Sequence, residues 1–154
     1  MVSISTSGSV TIARGTADVW AYVSDVTNQD HWVDGMSDSE IVGDGPIGRS
    51  TQIRGTYTYG GGSAPVLMTV TEFREGRRLA INASEGPFPF SGLLSLERAG
   101  GETVVTNSMT AGSDHIVTAI MFTLLRPLMK MMMGRQLRKE LQQLKDILES
   151  GGVE

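Results

Sequence analysis

From Asp114 to Glu149 the chain is almost free of glycine and rich in Leu, Met, Lys, Arg and Gln, and a run of good helix formers that long constrains everything before it. Ser113 or Asp114 is placed to cap its first turn, and Gly151 and Gly152 to stop it. Leu137, Leu141, Leu144 and Leu148 recur at steps of four, three and four, a narrow arc at about 100° per residue, with Arg138, Lys139, Glu140 and Lys145 facing away. In the first half Ile116, Val117, Ile120, Met121, Leu124, Leu125, Leu128, Met131 and Met132 centre on roughly the opposite arc, while Arg126 and Lys130 project on the leucine side. One straight rod cannot bury both stripes against one surface. A bend or break is therefore predicted between Pro127 and Gly134, where proline removes a backbone donor. Arg126 and Lys130 interrupt the apolar run too soon for a bilayer span, which needs about 20 apolar residues. A helix apolar nearly all round is ordinarily buried, so this one is expected to be the backbone and lid of a pocket.

The rest of the composition bounds what such a pocket can serve. A chain of 154 residues is expected to form one domain, 1–154, large enough to close a core around a cavity. A net charge of −4 leaves no basic face to offset the loss of counterions around phosphates, so nucleic acid is not an expected partner. With no cysteine, disulfides, thiol catalysis and thiolate metal sites are excluded. The polar start, Met1 to Val10, lacks the cationic and apolar regions of a secretory signal, and a cytoplasmic location is the expectation.

Val10 and Ile12 alternate with Thr11 and Ala13 as a first strand. Thr16 is placed to cap a short helix with Val19, Trp20 and Val23, and Asp25 and Asn28 a second turn through His31 and Trp32, before Asp34-Gly35 turns the chain. From Ser39 the period changes to two. Strands are predicted at 40–42, 49–59, 66–74, 78–84, 90–98 and 103–111, separated by Gly or Pro clusters short enough for hairpins. One strand, two small helices, six meandering strands and a long helix make an α+β domain with helices on one side of an antiparallel sheet.

These elements carry a likeness. Val19-Trp20-Ala21-Tyr22-Val23-Ser24-Asp25 followed by His31-Trp32, then Ile47-Gly48, Val70-Thr71-Glu72 ahead of Arg77-Arg78-Leu79, the strand Thr103 to Thr106 and the closing Leu141-Gln142-Gln143-Leu144-Lys145 resemble the polyketide cyclase/dehydrase branch of the START-like (Bet v 1-like, SRPBCC) superfamily. The resemblance spans essentially the whole chain. It implies a helix-grip fold, in which a curved antiparallel sheet of about seven strands wraps the last helix, with two short helices between strands 1 and 2. It further implies an apolar cavity for a lipid-, sterol- or polyketide-like molecule, and in some members cyclisation or dehydration.

A cyclase needs an acid and a base inside an apolar pocket, so that an enolate forms and is quenched away from water. His31 and Glu72 are the candidates. His31 has no carboxylate partner at fixed spacing, and an exposed imidazole is its ordinary reading; His115, at the start of the last helix, reads the same way. Glu72 shares strand parity with Val66, Met68 and Val70 and points inward if they do; otherwise it pairs with Arg77 or Arg78. Tyr57, Tyr59 and Asn107 are the uncharged groups able to orient a carbonyl or hydroxyl. The expected ligand contacts are Trp32, Ile53, Tyr57, Tyr59, Met68, Val70, Ile81, Phe90, Asn107, Met109, Ile120, Leu124, Leu128 and Met132, with the methionines supplying adaptable apolar walls. Gly43, Gly45 and Gly48 match the letters of a dinucleotide fingerprint, but a strand follows where a helix N-terminus is required. No His, Asp and Glu cluster has metal-ligand spacing, and no cofactor is expected. Three functions follow: binding or transport of a hydrophobic small molecule, polyketide cyclisation or dehydration in the same cavity, and docking of a second subunit or a membrane on the Met-rich helix. A homodimer is a further expectation.

Overall fold

The computed structural model describes residues 2–59, 61–86, 89–113 and 116–150. Strand β1 (Val2–Ile12) leads into helix α1 (Thr16–Val23), a 3-10 turn (Val26–Asn28) and the single-turn helix α2 (Gln29–Trp32). Strands β2 (Met36–Val42), β3 (Gln52–Tyr59), β4 (Gly62–Arg74), β5 (Arg78–Glu85), β6 (Phe90–Ala99) and β7 (Glu102–Ser113) follow, and α3 (Ile116–Glu149) closes the chain. The strands form one seven-stranded antiparallel sheet in the order β1-β7-β6-β5-β4-β3-β2. The α+β class, the helix-grip arrangement and the expected order of elements all hold.

β1 is much longer than the Val10–Ile12 alternation suggests. It pairs with β7 from Val2↔Ser113 to Ile12↔Thr103. Its outward positions are serine and threonine, so hydropathy hides the strand; there the hydroxyls of Ser5 and Thr110, and of Ser9 and Thr106, lie 2.8 Å apart as cross-strand hydrogen bonds. Ile4 and Ile12 take the inward face and are buried. The same alternation puts Ile53, Val66, Met68, Val70, Leu94, Leu96 and Val105 on the inner face. α1 lays Val19, Trp20 and Val23 into this core, where Trp20 meets Phe73 edge to face at 5.5 Å. The N-cap of α1 is Gly15 and not Thr16, whereas Asp25 does cap the 3-10 turn, accepting from the Thr27 N–H at 3.2 Å.

α3 lies along the inner face of β1 and reaches across to α2. Leu137, Leu141, Leu144 and Leu148 are buried along it, each contributing about 2 kcal/mol by leaving water. Arg14 Nε donates to the Leu148 carbonyl at 2.9 Å and Lys145 Nζ to the Thr11 carbonyl at 2.7 Å, tying the last turns to the end of β1. At Gly134 the helix meets Thr6; a Cβ there would stand 3.3 Å from Thr6 Oγ1 and 3.1 Å from Arg138 Nη1, so the absence of a side chain permits the approach. The predicted break is absent. Helix α3 continues through Pro127; one apolar stripe is buried, and the described side chains of the other, from Leu124 to Met132, stand in solvent. Leu124, Leu125, Leu128, Met131 and Met132 are 41–73% exposed, which corrects the expectation that the whole helix is buried.

Candidate ligand site

Asp34-Gly35 turns the chain from α2 into β2 and sets the site. Gly35 has φ +87°, and a Cβ on it would stand 2.6 Å from the Thr58 carbonyl oxygen and 3.0 Å from the Tyr57 ring. Only glycine therefore lets the turn sit against β3, where the Thr58 N–H donates to the Gly35 carbonyl at 2.9 Å. This brings Asp34 against α3. Its carboxylate accepts from Gln136 Nε2 at 2.6 Å and Gln143 Nε2 at 3.2 Å and pairs with Lys139 Nζ at 3.0 Å. These contacts, the Gln136 hydrogen bond first, hold its pKa below the ordinary carboxylate value. Gln143 Nε2 also donates to the Trp32 carbonyl at 2.9 Å, which locks α2 onto α3.

One turn beyond Gln136 is Glu140, only 6% exposed. Its Oε2 accepts from Gln136 Nε2 at 3.0 Å and from the Asp34 N–H at 3.1 Å. Removal from water outweighs both hydrogen bonds and pushes the carboxyl up to about 7. Tyr57 enters the same field from β3, half-buried; burial first, then the negative charges of Glu140 and Asp34, raise its phenol above the ordinary value. The result is a carboxyl that exchanges its proton near neutral pH and a phenol that keeps its own. Such a pair can donate to, or take a proton from, a ligand that is otherwise apolar.

The inner face also carries a row of partly exposed apolar side chains. Met109, Gly92 and Ile81 stand side by side on β7, β6 and β5, and Phe90 lies on the adjacent row opposite Ala111 and Ala83. Ile81, Phe90 and Met109 keep partial exposure, while Val70, Leu79, Leu94, Val105 and Ala111 around them are buried. Asn107 neighbours Met109 on this face and is 9% exposed. On the opposite face of the sheet a shallow trough of about 380 Å³ is lined by small outward residues including Ala80, Asn82, Ser91 and Ser108.

Of the expected contacts, Tyr57, Ile81, Phe90, Asn107 and Met109 thus lie on the inner face with some exposure or polar reach, whereas Trp32, Ile53, Met68 and Val70 are packed into the core. Leu124, Leu128 and Met132 do not form an enclosed wall, because they are 49–73% exposed. The side chains of Tyr59 and Ile120, the residues Asp114 and His115, and the Gly151-Gly152 stop lie outside the described residues. His31 is exposed. Glu72 faces outward: the register slips between Val70↔Ile81 and Glu72↔Ala80, and this bulge breaks the alternation on which an inward Glu72 depended. There its Oε2 lies 3.1 Å from both Arg74 Nε and Arg78 Nε.

Glu140, grouped by its charge with the solvent-facing residues of α3, is the group sequence reasoning missed. A signal was present. Gln136, Glu140 and Gln143 repeat at steps of four and three, one position behind Leu137, Leu141 and Leu144, and therefore flank the buried stripe.

Residues 3–149 match the family model described as polyketide cyclase/dehydrase and lipid transport. Among curated proteins no sequence matches the chain. An aromatase/cyclase from Streptomyces sp. R1128 superposes with TM-score 0.77 at 15% identity, covering 96% of this chain and 94% of that one. A protein from Thermus thermophilus gives 0.77 at 18%, covering 96% and 98%, and a START superfamily protein from Mycobacterium smegmatis 0.76 at 18%, covering 95% and 97%. At these identities the structural likeness establishes the START-like fold, and the model match over nearly the whole length establishes more: the chain belongs to the polyketide cyclase/dehydrase and lipid transport family.

Proposed function

We propose that this protein binds a hydrophobic small molecule, lipid-, sterol- or polyketide-like, against the inner face of its sheet, with Glu140 and Tyr57 meeting a carbonyl or hydroxyl on it. The observation that carries this reading is the partial exposure of Ile81, Phe90 and Met109 on an inner face where Val70, Leu79, Leu94, Val105 and Ala111 are buried. Partly accessible apolar side chains on the face to which Tyr57 also turns are what a ligand with one polar end requires. Native mass spectrometry of the protein as purified from cells, with solvent extraction of whatever co-purifies, tests it, followed by titration of a fluorescent polycyclic probe. Met109→Trp adds bulk to this partly exposed row; it is expected to lower probe binding at least about tenfold with an unchanged circular dichroism spectrum. Unchanged probe binding by this variant contradicts the reading.

Glu140 favours a second reading, a cyclase or dehydratase of polyketide-like substrates, since a carboxyl titrating near 7 inside the fold suits general acid/base work. Glu140 then takes the proton α to a carbonyl whose oxygen Tyr57 polarises, and returns a proton to the departing hydroxyl as water. This replaces Glu72 and His31, which lie outside the inner face, as the base. Loss of turnover with retained probe binding in Glu140→Gln separates the enzyme from the carrier; equal behaviour of both proteins leaves the carrier.

A further inference from the structure

Asn107 sets an amide on a face otherwise built from apolar side chains, and it is only 9% exposed. The alternation along β7 fixes its direction. Val105 and Ala111 are buried at the same parity, so the Asn107 side chain turns inward, toward α3. The inner-face positions around it are Val105 and Met109 along the strand, Gly8 across on β1 and Leu94 across on β6, and none of these side chains carries a nitrogen or an oxygen. The helix above offers no partner either. A Cβ on Gly8 would stand 3.6 Å from Leu141 Cδ1 and 3.8 Å from Leu137 Cδ2, so leucines cover this point. Arg138 passes only its Cγ there, 3.4 Å from the same Cβ, and carries Nη1 back to 3.1 Å from a Cβ on Gly134. The Asn107 amide accordingly makes no hydrogen bond among the described residues. Buried amides are ordinarily paired, and a leucine of the same size would suit the empty fold better. The amide is accounted for by what it meets when the site is filled.

We infer that Asn107 receives an oxygen of the bound molecule, and that the ligand class is a rigid polycyclic compound oxygenated at both ends. The inference rests on the binding reading above and narrows it. An amide offers Nδ2 as a donor and Oδ1 as an acceptor, so it takes a hydroxyl or a carbonyl. Asn107 adjoins Met109, the β7 member of the partly exposed apolar row, whereas Tyr57 stands on β3, with β4, β5 and β6 between the two. Ile81 on β5 and Phe90 on β6 lie in that interval. A polar group on either side of an apolar row suits a molecule whose oxygens lie at opposite ends of an apolar frame. A single-headed lipid leaves one of the two groups unpaired.

Fluorescence titration of the full chain with 2,6-dihydroxyanthracene and with 2-hydroxyanthracene tests it, because the two differ only in the second oxygen. The parent is expected to bind the dihydroxy compound at least about fivefold more tightly, the worth of one neutral hydrogen bond. In Asn107→Leu the ratio is expected to fall to one or below, since the second hydroxyl then enters an apolar wall. The same variant is expected to shift its urea midpoint upward, because an apolar side chain replaces an unpaired amide. A structural role for Asn107 predicts the reverse, and a lowered midpoint overturns the inference. So does equal affinity of the parent for the two compounds, or a preference that survives in Asn107→Leu; either result leaves the binding reading standing. Failure of the parent to bind either compound overturns the binding reading, and this inference with it.

Discussion

Replacing Glu140 by glutamine tests the site through its energetics before any ligand is known. Glu140 is 6% exposed, and the fold moves its pKa from 4.5 to about 7. The folded state therefore holds a proton that the unfolded chain releases, so this group's contribution to stability is complete below pH 4.5 and is lost as pH rises through 7. At about 1.4 kcal/mol per pKa unit, the loss between pH 5 and pH 8 is on the order of 2 kcal/mol. Glutamine keeps an oxygen for the Asp34 N–H and the Gln136 amide but carries no charge, so the variant is spared this loss. Asp34, whose lowered pKa works in the opposite direction by losing stability as pH falls, is present in both proteins and largely cancels. Urea denaturation at pH 5 and pH 8 is the assay. The variant is expected to match the parent at pH 5 and to exceed it by about 2 kcal/mol at pH 8. If the two differ by the same amount at both values, within about 0.5 kcal/mol, Glu140 does not titrate near neutrality and the acid/base reading of the site fails.

Two further expectations concern how the site is held. Gly35→Ala combines a φ of +87° with a Cβ 2.6 Å from the Thr58 oxygen, and is expected to cost at least about 2 kcal/mol in urea denaturation and to weaken probe binding by displacing Tyr57; a loss below about 0.5 kcal/mol contradicts the packing of the turn on β3. Leu144→Ala, at a fully buried position, is expected to lower stability by about 3 kcal/mol, whereas Leu124→Ala, at a 73% exposed one, stays within about 0.5 kcal/mol; similar losses at the two positions refute the division of α3 into a buried and a free half.

The class of fold was readable because it rests on local periodicity. The shift from period two to a helical run at the end of β7, the Gly and Pro clusters between strands and the 4-3-4 leucine spacing are all short-range signals that side-chain direction translates into elements. Burial of Leu137, Leu141, Leu144 and Leu148 followed from that spacing alone. Where a signal was not apolar it was lost. The serines and threonines of β1 form a strand because β7 offers them hydroxyl partners, and nothing within residues 2–9 announces that.

What only the tertiary structure decided is which side of each element counts. A single bulge after Val70 turned Glu72 to the outer face, because a one-residue slip reverses every side chain beyond it. The turn at Asp34-Gly35 converted Glu140 from a residue grouped with the surface cations into a buried acid, because the cost of a charge depends on the water removed from around it, and that water is removed by α2 and β3, far away in sequence. Leu124, Leu125, Leu128, Met131 and Met132 carried the opposite lesson: their spacing marks an apolar face, yet they stand 41–73% exposed, because burial depends on what packs against a face and not on its periodicity. Sequence sets the periodicity of each element; the meeting of distant elements sets the dielectric around each side chain, and with it the chemistry of the site.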